Sequence, residues 1–328
     1  MSNSEISMAR FNRPVLFIVS VMALVGLGFM WLAAERVRIF SWQASPIIRI
    51  EPASDESMHV EYPTVYRMGN SKGMLYSAYG DDGRWRIKLA VASTGQDFIK
   101  QGNIFDEAAL PFKGGYAFPF VSVATVEGKT LFNLYFSAAD GDRPDRYTAI
   151  YHSVSNNGTT WSAPERLVVD NALDPVVLTR NGKDMIVYTS VAEGVNVIRS
   201  AVLESAATAG KSQTVYSSAS GFYTLGTLMV DQQPVLIVET AKDWMAMCFN
   251  GAGQLVPISK KPLVEFDKEK QGVWDSLKYG MHFFQQGSPA NVYYNGITAH
   301  GAPMGGQVGV GTYDPELLAD QLDTARCR

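Results

Sequence analysis

The sequence predicts an all-β fold, a five-bladed β-propeller behind one N-terminal membrane helix. Three observations carry that prediction: a strand–turn–strand unit that recurs five times, a spacing that suits propeller blades, and the lack of any long helical period after the first segment. The clearest copy is Asn171 to Ser190, NALDPVVLTRNGKDMIVYTS. Asp174-Pro175 opens a short apolar strand, Asn181-Gly182 supplies a tight turn with positive φ, and a strand rich in β-branched and aromatic residues comes next. The other copies start at Tyr62-Pro63, Phe118-Pro119, Thr224 and Met281. Their spacing is about 40 to 60 residues, the range of propeller blades. The blades are expected over 62–110, 116–170, 172–216, 222–262 and 278–316.

The segments divide in order. Residues 1–13 are polar and read as a cytoplasmic tail. Residues 14–34, PVLFIVSVMALVGLGFMWLAA, carry no charge over 21 positions, about a bilayer core at 1.5 Å per residue. A cleaved signal peptide is the rival reading; its apolar core usually runs about 7 to 15 residues, which favours an uncleaved anchor. Arg10 and Arg13 before the span nearly balance Arg36 and Arg38 after it. The expected orientation puts the chain beyond about residue 36 outside the cytoplasm, as single N-terminal anchors usually do. Residues 35–57 read as a linker whose 47–50 strand closes the ring. The propeller spans 58–316. The tail, 317–328, belongs to a short terminal helix capped by Asp314 with Pro315 at its first position. Third strands are expected at 85–93, 146–153, 195–202, 244–249 and 307–313. After the second of these, Ser155-Asn156-Asn157-Gly158-Thr159-Thr160-Trp161 reads as a polar turn that folds its tryptophan back between strands.

Composition narrows the function. The chain has 328 residues, 46% of them hydrophobic, and a net charge of -4, which suits one large β domain and argues against a nucleic-acid partner. Its two cysteines, Cys248 and Cys327, form no C-x-x-C pair, so neither a metal centre nor any cofactor is expected. One disulfide and two free thiols both remain open.

The pattern of Asp-Pro opening an inner strand and Ser-x-x-Gly-x-x-Trp after the third resembles the five-bladed propeller glycosidases: arabinanases, β-xylosidases and, more distantly, the invertase and levansucrase group. The resemblance covers about 58–316. It implies a sugar site on the axis, served by three carboxylates from the inner strands of different blades. Asp174 matches the third-blade aspartate. Tyr62 stands where the first-blade aspartate is expected, and no carboxylate lies at 222–224. A tyrosine, with its pKa near 10, does not replace a carboxylate base.

Other polar residues on the 2–3 loops are candidates for the same face. The catalytic candidates are Asp174, Glu193 and Glu239, with Glu61 as a further partner. Tyr62, Asp82, Arg84, Trp85, Asp142, Arg143, Arg146, His282 and His300 are candidate substrate contacts, the arginines for an acidic sugar and Trp85 for stacking. Pro175 is expected to hold Asp174 in an extended conformation, and strand alternation is expected to point Glu61 away from Tyr62. The expected protein is a membrane-anchored, periplasmic or extracellular, glycosidase-like propeller that acts on or binds an envelope or exported polysaccharide. The alternative is a non-catalytic propeller that docks or assembles envelope components, with envelope proteins as partners.

Overall fold

The computed structural model describes residues 38–139, 147–169, 171–192, 195–217, 222–240, 242–266, 273–286, 289–298 and 305–327. Five antiparallel sheets succeed one another along the chain. Blade 1 holds His59–Met68, Ser71–Tyr79, Trp85–Ala92 and Ile99–Asn103. Blade 2 holds Tyr116–Val126, Lys129–Ala138, Ala149–Ser155 and Glu165–Val169. Blade 3 is built on Ala172–Arg180, Lys183–Ala192, Val195–Ser205 and Gln213–Ser217, and blade 4 on Phe222–Val230, Gln233–Thr240, Asp243–Phe249 and Leu255–Pro257. Blade 5 takes Leu277–Phe284, Ala290–Ile297 and Gln307–Tyr313 from the C-terminal end and Phe40–Trp42 from the N-terminal end.

That last strand closes the ring, with Phe40 opposite Tyr313 and Trp42 opposite Gly311. The closing strand therefore lies upstream of the expected 47–50, where Ile48 makes only a single bridge to Val308. Phe40 and Trp42 are better suited to the role because their rings stack on each other and pack edge-on against Trp244, so closure also buries aromatic surface. The C-terminal end is fixed too. Asp314 accepts from the amides of Glu316 and Leu317 to cap the helix Pro315–Asp320, and Cys248 is bonded to Cys327. The expected span 14–34 lies outside the described residues; among those described, no helix is long and apolar enough to cross a membrane.

Apolar residues of neighbouring blades make the core. Leu75, Ile87, Leu134 and Phe136 join blades 1 and 2, and Val176, Val187, Leu236 and Val238 join blades 3 and 4. Tyr66 and the turn after blade 2's third strand reinforce the first of these joints. Ser155 Oγ accepts from the amides of Asn157 and Gly158, and Asn157 Oδ1 accepts from those of Thr159 and Thr160. The turn delivers Trp161, buried, against Tyr66, whose hydroxyl donates to Gly158 O at 2.6 Å.

One local device recurs on every inner strand. The register slips between Glu61 and Thr64, Ala117 and Phe120, Leu173 and Val176, Phe222 and Thr224, and Tyr279 and His282. Each slip is a bulge, and in blades 1, 2, 3 and 5 the bulged residue lines the axis. Tyr62, Phe118, Asp174 and Gly280 hold φ of 52°, 58°, 53° and 55° there. The extended conformation expected at Asp174 is thus corrected. Proline does restrict the residue before it, but the bulge puts Asp174 in the left-handed region, and the surrounding sheet sustains the strain, of order 1–3 kcal/mol per non-glycine residue.

Candidate active site on the propeller axis

The five bulges meet at one end of the inner strands. A hydroxyl from one blade holds the bulge amide of the next: Ser77 Oγ accepts from Phe118 N at 2.9 Å, Ser137 Oγ from Asp174 N at 3.2 Å, and Thr224 Oγ1 from Gly280 N at 3.2 Å. These bonds fix the axial residues relative to one another across blade boundaries. Between them lies a cavity of about 30 Å³, lined by Tyr62, Phe118, Asp174, Thr224, Gly280 and His282 among others. It is large enough for ordered water and far below the several hundred Å³ of a typical ligand pocket.

Several polar side chains at this cavity or bonded to its lining are buried and incompletely satisfied. Asp174 is 5% exposed, and its Oδ2 has no hydrogen-bond partner. Burial holds its carboxyl well above the usual carboxylate range. Glu239 is 0% exposed; its Oε2 accepts from Thr224 Oγ1 and from Gly280 N at 3.4 Å, while Oε1 has no partner. Burial is the main reason its carboxyl is also raised, the Asp174 and Glu61 charges add to the effect, and the Thr224 and Gly280 hydrogen bonds oppose it. Asn295, 0% exposed, has neither side-chain atom paired. It explains why blade 5 has glycine at the bulge: a Cβ at Gly280 would collide with Asn295 Oδ1 and, at 2.6 Å, with the Tyr62 ring.

Tyr62 is partly exposed over this group. Its phenol is pushed up, first by burial and then by the charges of Glu61, Asp174 and Glu239, so it stays protonated. Phe118 packs edge-on against it with centroids 4.4 Å apart, and Tyr147 packs on Phe118 at 5.0 Å. Glu61, expected to point away, acts electrostatically on both Tyr62 and Glu239. His59 and Glu61 share one face, as alternation requires, and the bulge begins after Glu61. Its Oε1 lies 2.8 Å from His59 Nδ1 and accepts from Gly306 N at 3.0 Å.

His282 lines the cavity as a neutral imidazole. Its Nε2 donates to Val65 O at 2.9 Å, and Nδ1 lies 3.4 Å from Thr64 Oγ1, which itself accepts from Val121 N. Burial pushes its pKa down to about 4. Among the described residues no group of three or more His, Cys, Asp or Glu is arranged to hold a metal ion.

The structure thus brings Asp174, Glu239, Tyr62 and His282 together on the axis. Glu239 reaches it from the end of the second strand of blade 4, opposite Thr224, rather than from the loop where the sequence suggested it. Asp82 and Arg84 are engaged within blade 1: Asp82 pairs with Arg86, and Arg84 bonds to Lys113 O at 3.2 Å and pairs with Glu107 at 3.3 Å. Trp85 packs against Tyr79 and His59, with centroids 5.0 and 5.6 Å away. Glu193, Asp142, Arg143, Arg146 and His300 lie outside the described residues. Asn295 does not stand out in the sequence, although Tyr294-Asn295 lies where Tyr76-Ser77 and Phe136-Ser137 lie in blades 1 and 2.

The fold is that of five-bladed propeller glycosidases. The catalytic domain of a Coprinopsis cinerea GH62 α-L-arabinofuranosidase superposes with a TM-score of 0.64 at 12% identity, covering 84% of this chain and 97% of that one. A GH130 protein, from the family of mannoside phosphorylases that contains hydrolases of β-1,2 mannosidic linkages in Candida mannan, gives 0.60 at 14% identity over 86% and 96%. An endo-1,4-β-xylanase of Bacteroides thetaiotaomicron gives 0.60 at 14% over 82% and 92%. At these identities the likeness is one of fold. No sequence-family profile matches the chain, and no curated protein sequence matches it.

Proposed function

We propose that this chain is a membrane-anchored, extracytoplasmic, glycoside hydrolase-like propeller that acts on an envelope or exported polysaccharide at its axial face. The observation that carries the reading is two buried carboxyl oxygens left without partners: Asp174 Oδ2, whose residue lines the axial cavity, and Glu239 Oε1, whose carboxyl is bonded to Thr224 and Gly280 of that lining. Buried polar atoms without partners are uncommon, and in a cleft they mark places where a ligand or water completes the set. Burial keeps both acids protonated well into the pH range where an ordinary carboxyl is ionised. In that state a carboxylic acid donates a proton to a leaving glycosidic oxygen or a hydrogen bond to a sugar hydroxyl. Glu61 is the third carboxylate of the group and the one already held by a histidine and a backbone amide. Its place beside Tyr62 gives blade 1 a carboxylate one residue away from the position that the resemblance assigns to it.

The extracytoplasmic part rests on the uncharged segment 14–34 and on the Cys248–Cys327 disulfide, a bond that persists in oxidising compartments. A C-terminal alkaline phosphatase fusion is expected to be active in cells; an active fusion only with a cytoplasmic reporter overturns the location.

A second reading, a propeller that binds glycan without cleaving it or serves as a docking module, is favoured by one observation: Tyr62 occupies the first-blade position while Glu239 is wholly enclosed. The full chain, purified in detergent, separates the readings on a panel of bacterial polysaccharides, scored for binding and for release of reducing ends. The proposed activity predicts a bound glycan whose cleavage falls about a hundred- to ten-thousand-fold in Asp174→Asn. Binding without cleavage, weakened by the same change, selects the second reading. Binding that Asp174→Asn and Glu239→Gln both leave untouched removes the axial site from either.

A further inference from the structure

Glycoside hydrolysis at the axial face needs a proton acceptor as well as an acid. Asp174 and Glu239 keep their protons, so neither takes one from water nor attacks a sugar carbon. Tyr62 keeps its proton too. His282 is a weak base, its pKa pushed down to about 4 by burial, and both of its ring nitrogens face protein atoms. Glu61 is 5% exposed, and its Oε1 is already engaged by His59 and by the amide of Gly306. Among the described residues at this end of the inner strands, that leaves the group Glu61 holds.

His59 begins the inner strand of blade 1, upstream of the bulge at Tyr62. Its Nδ1 lies 2.8 Å from Glu61 Oε1, an oxygen that also accepts from Gly306 N at 3.0 Å. A carboxylate oxygen only accepts, so Nδ1 carries the proton. Gly306 N also lies 3.3 Å from Nδ1, the longer of its two contacts. The neutral ring then has its lone pair on Nε2, which has no partner among the described residues, in a side chain that is 32% exposed. Tyr79 and Trp85 stand in one row with it across three strands, their rings 5.8 and 5.6 Å from the imidazole. One nitrogen is thus held by a carboxylate, the ring is packed by two aromatics, and the other nitrogen is open, which is how a base oriented by a third group is built. The charge of Glu61 bears on both Tyr62 and Glu239, so the pair sits beside the axial acids.

We propose that His59 Nε2 is the proton acceptor of the axial site, positioned by Glu61; this rests on the glycosidase reading of that site. A water molecule attacks the anomeric carbon and gives a proton to Nε2. The bond from that carbon to the leaving oxygen breaks, and Asp174 gives its proton to the leaving oxygen. Water enters opposite the leaving group, so the new hydroxyl has inverted configuration. Glu61 steadies the imidazolium while it lasts. The imidazolium then loses its proton to solvent and Asp174 regains one, so one water is consumed per bond cleaved.

The test uses the full chain in detergent and the polysaccharide it cleaves best. The parent is expected to release a product of inverted configuration, read by NMR at early times. His59→Ala is expected to lower kcat about a hundred- to ten-thousand-fold with KM nearly unchanged. His59→Gln, closer in size, is expected to show the same fall and carries the kcat measurement if the alanine variant does not fold. Glu61→Gln is expected to lower kcat by less, again with KM nearly unchanged, where a merely structural role would lower the melting temperature and leave kcat per folded molecule intact. Sodium azide separates a lost base from a damaged site. Azide attacks carbon without giving up a proton, so it is expected to restore turnover to His59→Ala and to leave an inverted glycosyl azide, and to restore none to Asp174→Asn, whose leaving group still lacks an acid. Retention in the parent, parental kcat in either His59 variant, or a His59→Ala protein that azide does not rescue overturns the base role and leaves the glycosidase reading standing. A parent that binds glycan without cleaving it overturns both.

Discussion

Tyr62-Pro63 in blade 1 and Asp174-Pro175 in blade 3 occupy the same backbone socket. Their φ values are 52° and 53°, each sits at a register slip, and each is followed by proline. The side chains differ completely. One socket presents a phenol that burial and neighbouring charges keep protonated; the other presents a carboxyl that is 5% exposed, with one oxygen unpaired. Phe118 fills the same socket in blade 2 with no polar group at all. Socket and chemistry are therefore separable. The bulge is a property of the propeller, while the reaction depends on which sockets hold acids and which neighbours compensate. Here Glu61, adjacent in sequence, and Glu239, opposite Thr224, supply carboxylates from positions beside the sockets rather than in them.

The sharpest way to break this comparison is to make the two sockets alike. Tyr62→Asp places a further acid beside Glu61, Asp174 and Glu239. It is expected to destabilise the fold at pH 8 by about 3 kcal/mol or more, read as a lower melting temperature. A raised folded pKa means that the penalty is absent below the unfolded carboxylate value, about 4, and grows as pH rises toward the folded value. The melting temperature is thus expected to recover at low pH. An unchanged melting temperature at both pH values shows that the blade 1 socket is open water and not part of the acid group.

The socket pattern was legible in sequence only where proline marked it. Asp174-Pro175, Tyr62-Pro63 and Phe118-Pro119 stand out, and the apolar strand after each made the blades countable. Blades 4 and 5 lack that proline, and with it went the signal for their axial residues. Glu239 comes after a run of apolar strand residues, Val235 to Val238, so it reads as part of the loop beyond a buried strand; only the pairing to Thr224 places it on the axis. Glu61 is set aside by alternation, yet its charge reaches both Tyr62 and Glu239, which only the folded arrangement shows. Asn295 is one polar residue in an aromatic strand, and its role becomes visible only when Gly280 is known to lie against it. The closing strand was misplaced by a few residues because Ile47 to Ile50 has the stronger β pattern, whereas Phe40 and Trp42 owe their place to the aromatic cluster around Trp244.

Blade 5 offers a milder way to sharpen the comparison. Its socket has φ of 55° at Gly280, within a few degrees of the others, but no room for a side chain. Gly280→Ala is expected to cost about 2 kcal/mol, through strain at positive φ and displacement of Asn295 or the Tyr62 ring. Thermal unfolding checks it. A neutral result contradicts the tight placement of Asn295 against the axis.

The smallest effect is expected from removing the acids themselves. Their folded pKa values are raised, so each native carboxyl weakens the fold as pH climbs above the unfolded value. Glu239→Gln and Asp174→Asn, which cannot ionise, are expected to raise stability at pH 8 by about 1 kcal/mol and to make little difference near pH 4. Unfolding in denaturant at the two pH values measures this. If both variants are less stable than the parent at pH 8, the carboxyls are structural caps rather than a strained pair kept for a ligand.

The central claim is that Asp174 and Glu239 work as protonated acids on a glycan. The most direct measurement is the pH dependence of binding and cleavage of the best polysaccharide by the full chain, beside Asp174→Asn. A carboxyl of ordinary pKa has lost its proton by about pH 5. The account predicts that the parent holds its affinity or rate well above that pH and loses it only as the raised groups ionise, while Asp174→Asn is weak at every pH. A parent whose profile falls at the ordinary carboxylate value, or an Asp174→Asn protein that matches the parent throughout, contradicts it.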